Sequence, residues 1–141
     1  VIAIGAEGVE LGSAFLMSKE CDVHPNVTEA IAKSAVMDTI VTGSPTDEPC
    51  RQLKNPFSEK VMNIEYTMPK AEAAPILREM CASSLKKAMA EGDMIDGAVM
   101  VGQNASRLNK VVSAKEVIDT IIAEAKTTAE TLSKTLNGIL S

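Results

Sequence analysis

A short run near the start, GAEGVELGSAFL from Gly5 to Leu16, constrains this chain more than any other stretch. It places a glycine-flanked apolar segment directly before a Gly12-Ser13 pair. The alternation predicts a strand over Val9 to Leu16, with Val9 and Leu11 buried. Gly12 has no side chain to hold a ligand off, and Ser13 offers a hydroxyl beside two backbone N–H groups. That combination suits a phosphate dianion. The same glycines would equally serve packing or a tight bend, and local sequence alone favours that plainer use.

The rest of the composition narrows the choice of partners. Net charge is −5 with no Lys/Arg cluster, which excludes a nucleic-acid surface, since neutralising phosphates needs a basic face. Hydrophobic residues make up 45% of the chain but aromatics only 2%, namely Phe15, Phe57 and Tyr66, so the core must be aliphatic. Eight methionines fit that interior as gap-fillers. The three cysteines, Cys21, Cys50 and Cys81, are odd in number and form no CxxC, which fits reduced thiols and a cytoplasmic location. Cys21 and His24 make a CxxH, but zinc would want two further ligands at matching spacing and the sequence offers none. His24 is the only histidine. The opening VIAIGA reads as a helix end, its VIAI is too short for a signal segment, and no run approaches the roughly 20 apolar residues of a membrane span.

Further along, Pro25 and Asn26 are start signals for a helix from about Asn26 to Ser34. The β-branched run Asp38 to Thr42 suits a short edge strand bounded by Gly43 and Pro45. Gly43 to Met68, with Pro45, Pro49 and Pro56, reads as an extended segment crossing the surface. A helix is predicted from Pro75 to Glu91, with a stripe of Leu77, Cys81, Leu85, Ala88 and Met89, and Gly92 as its stop. Gly97 to Gln103 reads as a buried turn. A last helix is predicted from Ala114 to Asn137, opened by a Ser113/Glu116 capping box and a Val112/Val117 staple, and ended by Asn137-Gly138. Its stripe, from Ile118 through Ile121, Ile122, Ala125, Ala129 and Leu132 to Leu136, must pack on something.

Five blocks in order carry a resemblance: GAEGVELGSAFL, KECDVHPN (19–26), DTIVTG (38–43), CRQLKNPF (50–57) and EGDMIDGAVMVGQ (91–103). Together they resemble the C-terminal half of the flavin-dependent nitronate monooxygenase (2-nitropropane dioxygenase) family and its relative, FMN-dependent enoyl-ACP reductase II. Two positions depart from the family pattern. Glu10 stands where a Gln is usual, and Ser13 where a Thr is usual.

The resemblance implies an α/β fold: the C-terminal portion of a TIM (β/α)8 barrel, with its last strand and phosphate-site turn, plus a mainly helical C-terminal extension. Residues 1–43 would end the flavin-binding barrel, and residues 44–141 would be the extended segment and helices packing on it. A closed barrel needs about 250 residues, whereas this chain has 141 and starts at Val1 without an initiator Met, so it is expected to be a fragment. Alone it would be flavin-free and would associate, as a homo-oligomer or with a companion chain.

By resemblance the cofactor is FMN, held by Leu11, Gly12 and Ser13, with Gln103 near the flavin or the substrate. The catalytic histidine would lie upstream, so no catalytic residue and no metal site is expected here. The implied activity is oxidation of alkyl nitronates with O2. Alternatives are enoyl-ACP reduction, which would add NAD(P)H, and a non-catalytic helical interaction module. No membrane partner is expected.

Overall fold

A computed structural model of the chain describes residues 4–140. The opening VIAIGA thus falls partly outside the described residues. Eight elements follow one another: α1 (Ser13–Leu16), α2 (Pro25–Lys33), β1 (Thr39–Thr42), β2 (Cys50–Leu53), α3 (Pro56–Thr67), α4 (Lys70–Cys81), α5 (Ser84–Met89) and α6 (Ala114–Leu140).

The expected strand at Val9 to Leu16 is not formed. Ser13–Leu16 is a single helical turn, and Val9 (56% exposed) and Leu11 (37%) lie outside any ladder. A strand exists only where a neighbour takes up its N–H and C=O groups, and none stands beside this segment among the described residues. Gly43 to Met68 departs from expectation in the opposite direction, because it contains β2 and all of α3. Asn55 is the reason. Its side chain accepts the Ser58 N–H at 2.9 Å while the Ser58 hydroxyl accepts the Asn55 N–H at 2.9 Å, a reciprocal cap. Pro56 then occupies the first helical position, where a missing N–H costs nothing.

The helix predicted over Pro75 to Glu91 is two helices. α4 starts five residues earlier, at Lys70, and carries Pro75 in its interior. The chain breaks at Ala82-Ser83 before α5, so Leu77 and Ala88 are buried while Cys81 and Leu85 remain partly open to solvent. Gly92 does stop the run, with φ +71 and the His24 ring where a β-carbon would stand. At the other end of the chain, α6 runs through Asn137-Gly138 to Leu140. A glycine ends a helix only by turning left-handed, and Gly138 does not. Half of the predicted box is present, with the Glu116 N–H donating to Ser113 Oγ at 3.1 Å.

β1 and β2 pair antiparallel, Thr39 opposite Leu53 and Thr42 opposite Cys50. Instead of a buried turn, residues 99–101 extend along the other edge of β2. Leu53 N–H donates to Val99 O at 2.9 Å, Val101 N–H to Arg51 O at 3.1 Å, and Gln52 bridges Met100. Two aliphatic cores flank this ribbon. Met17, Val27, Ile31, Leu53, Val99 and Val101 build one; Phe57, Val61, Ala73, Leu77 and Ala98 build the other. Among the described residues, the stripe of α6 is covered only near its start, and Ile118, Ile122, Leu132 and Leu136 remain 41–49% exposed.

Asn55 also donates from Nδ2 to the carbonyls of Met94 (3.1 Å) and Gly97 (2.8 Å), tying the start of α3 to the turn that feeds residues 99–101. Asn55→Ala removes the cap and strands two carbonyls, so it should destabilise the fold by about 2–4 kcal/mol in urea titrations. Asn55→Asp keeps the cap acceptor and should fall between the two. A loss below about 1 kcal/mol would show that the turn is held by other groups.

Candidate functional site

Ser13 finds its partner 89 residues away in sequence. Its Oγ accepts the Gly102 N–H at 2.7 Å, which joins the turn before α1 to the end of the 99–101 segment. Between them opens a groove of about 520 Å³ lined by Gly12, Ser13, Arg51, Met100 and Gly102, with Leu16, Val23, Leu85 and Met89 as its apolar floor. The volume is in the range of small-molecule sites.

Three features of the groove suit an anion. An ideal β-carbon on Gly12 would meet nothing within 4 Å, so the backbone is open to a ligand. The Ser13 hydroxyl, already accepting from Gly102, keeps its own proton to donate outward. The amides of Ser13 and Ala14 find no acceptor among the described residues. Arg51 adds the charge. Its guanidinium is steered by one hydrogen bond to Thr39 Oγ1 at 2.9 Å, and no carboxylate pairs with it among the described residues.

Of the residues singled out from sequence, Gly12 and Ser13 line this groove. Leu11 and Gln103 do not; they flank the lining residues in sequence and stand exposed. Arg51 was missed. It sits in the stretch read as an extended segment crossing the surface, and its only signal was its place in the block CRQLKNPF. His24 is tied into the scaffold. It caps α2, with Nδ1 accepting the Asn26 N–H at 3.2 Å, and its own N–H donates to Met89 O at 2.7 Å. No group of three His, Cys, Asp or Glu that could hold a metal ion occurs among the described residues. Among the same residues no helix is long and apolar enough to cross a membrane.

A second space, a chamber of about 250 Å³, lies between β2 and the helices α3, α4 and α5. Phe57, Val61, Leu77 and Ala98 form its base, and Leu85 and Met100 line both it and the groove. Cys50 and Cys81 lie on its wall. Burial pushes both thiols up, and Cys81 is raised further by Glu65 and Cys50, so both stay neutral.

A family model described as nitronate monooxygenase matches residues 1–124. A probable nitronate monooxygenase of Staphylococcus saprophyticus is 31% identical over 124 residues, covering 88% of this chain and 34% of that protein. One from Staphylococcus aureus is 32% identical over 121 residues, covering 86% and 33%. The structure of FabK from Thermotoga maritima superposes with a TM-score of 0.85 at 39% identity, over 94% of this chain and 41% of that one. The chain thus spans about a third of the length of these curated relatives.

A capping role for His24 makes a clear forecast. His24→Ala in the full-length protein should leave turnover within a few-fold and cost stability by about 0.5–2 kcal/mol, the worth of a helix cap. A fall in kcat near the 10²- to 10⁴-fold typical of a lost general acid or base would assign it to the chemistry instead.

Proposed function

This chain is a member of the nitronate monooxygenase family, and from that membership we propose that it supplies the phosphate end of a flavin site and one wall of the substrate groove in an FMN-dependent oxidoreductase acting on alkyl nitronates with O2. The observation that carries this reading is the Gly12-Ser13-Gly102 junction, open on its ligand side and lined by an unpaired arginine. The residues fit the cofactor. Gly12 would admit the FMN phosphate, and the Ser13 hydroxyl with the amides of Ser13 and Ala14 would be the donors that hold it. When bound, FMN supplies the electron relay between substrate and O2.

The work of this chain's own residues is binding and orientation. Ser13, fixed by Gly102, sets where the phosphate rests. Arg51 attracts a second negative charge into the groove, and a nitronate is an anion whereas an enoyl thioester is neutral. On this reading residues 1–43 belong with the barrel and 44–141 with an extended and helical region packing on it, the α6 stripe facing barrel surface. The proton-transfer group comes from elsewhere, since His24 serves as a cap.

Enoyl-ACP reduction is the second reading, supported by the likeness to FabK. It would require NAD(P)H-dependent turnover of a crotonyl thioester, and that result would reverse the order of the two. A purely helical interaction module draws no support from these relatives.

Three substitutions in the full-length protein test the site. A β-carbon at Gly12 meets nothing within 4 Å among the described residues, so Gly12→Val should fold yet lose FMN on dialysis. Ser13→Ala should weaken FMN binding by about 1–3 kcal/mol, roughly 5- to 150-fold in Kd. Arg51→Gln should raise KM for a nitronate more than it lowers kcat. Full flavin retention by folded Gly12→Val would place the phosphate elsewhere.

A further inference from the structure

The chamber behind the groove has no part in the phosphate site, yet it shares a wall with the groove. Leu85 and Met100 line both spaces, and each is partly exposed, at 41% and 42%. Met100 is unbranched and adaptable, so that partition can yield to a ligand without moving the backbone. Behind it the base is aliphatic and aromatic, and the two thiols on the wall are neutral. Thr42, Thr46, Glu48, Arg78 and Ser84 also line the chamber, and one buried polar atom in it stands unpaired. Gln52 lines the chamber, is 4% exposed, and donates from Nε2 to Thr42 Oγ1 at 2.7 Å. Its Oε1 has no hydrogen-bond partner. A buried carbonyl left unpaired carries a desolvation cost, which a bound donor would return.

We propose that this chamber is a tail subsite for the substrate of the groove: it takes an aliphatic chain that passes between Leu85 and Met100 and carries a hydrogen-bond donor, such as a hydroxyl, to Gln52 Oε1. Its volume of about 250 Å³, at about 30 Å³ for a water-sized group, holds roughly eight such groups. The substrate class is therefore a medium-chain compound with a terminal hydroxyl, not a two- or three-carbon one. The inference rests on the groove being the reactive site, but the chamber can be tested without that assumption.

The thiols report occupancy directly. Cys50 and Cys81 lie on the chamber wall, whereas Cys21 does not. Full-length protein, with and without flavin, is labelled with N-ethylmaleimide in the presence of 1-butanol, 1-octanol or 1-dodecanol, and modification at each cysteine is read by mass spectrometry. Octanol should slow labelling of Cys50 and Cys81 several-fold and leave Cys21 unchanged, with butanol and dodecanol less effective. The isosteric ether 1-methoxyheptane, which lacks a donor, should need several-fold higher concentration, and Gln52→Leu should erase that difference. Equal labelling at all chain lengths, or slowing that extends to Cys21, overturns the subsite. An ether as effective as the alcohol overturns the role of Gln52. Protection in the flavin-free protein separates this outcome from any failure of the flavin reading. If octanol protects but Met100→Ala fails to extend the range of chains turned over, the passage between the two spaces is refuted.

Discussion

Two hydrogen bonds along the outer edge of β2 place nearly everything else of interest. Leu53 N–H to Val99 O and Val101 N–H to Arg51 O hold residues 99–101 in one register against the ribbon. Side chains alternate across a strand, so this register sends Val99 and Val101 into the core beneath α2 and leaves Met100 on the opposite face beside Gln52. A slip of one residue would bury Met100 and expose both valines. It would also move Gly102 off Ser13. The groove is thus a consequence of pairing at a sheet edge, although it is built largely from loop residues.

Much of this was legible where the signal was local. The helix at Pro25, the strand at Thr39 and the start of α6 each follow from caps or β-branched runs. Gly12 and Ser13 were legible for the same reason, because a missing side chain and a hydroxyl act through their own backbone. What the sequence hid was mostly non-local. Val9 to Leu16 has the composition of a strand but no strand beside it among the described residues, and a ladder is a property of pairs. Residues 99–101 look like a buried turn until β2 is placed next to them. Arg51 becomes notable only once its neighbours in the groove are known. The error over α3 was of another kind: Asn55-Pro56 followed by Ser58 is a readable cap, and the prolines around it drew attention to loops instead.

The small share of aromatic residues has a structural effect of its own. Phe57 is the one aromatic side chain that reaches full burial, and it sits in the second core, at the base of the chamber. The largest side chains at or below 1% exposure are Met17, Ile31 and Leu77. Aliphatic side chains meeting across short helices leave gaps unless volumes are matched closely, and a lasting gap forfeits dispersion contacts. The gap here opens between the helices and the ribbon, where Ala82, Ser84 and Ala98 contribute little volume.

Filling it would be simple in evolutionary terms, since a single larger residue at Ala82 on the exposed side would narrow the chamber without touching either core. Small side chains at three such positions, beside a glutamine whose carbonyl is unpaired, leave the fold less stable than its packing allows. Natural proteins are rarely at their stability optimum, but an unpaired buried carbonyl calls for a partner, and a ligand is one. The deficit also lies next to the groove rather than at a distance from it, with Met100 as the shared side chain. Chamber and anion groove are therefore neighbours that share Leu85 and Met100, with the unpaired Gln52 carbonyl in one and Arg51 and Ser13 in the other. On the proposed reading, a chain that reaches Gln52 from the groove would use both spaces, and a short nitronate only the groove.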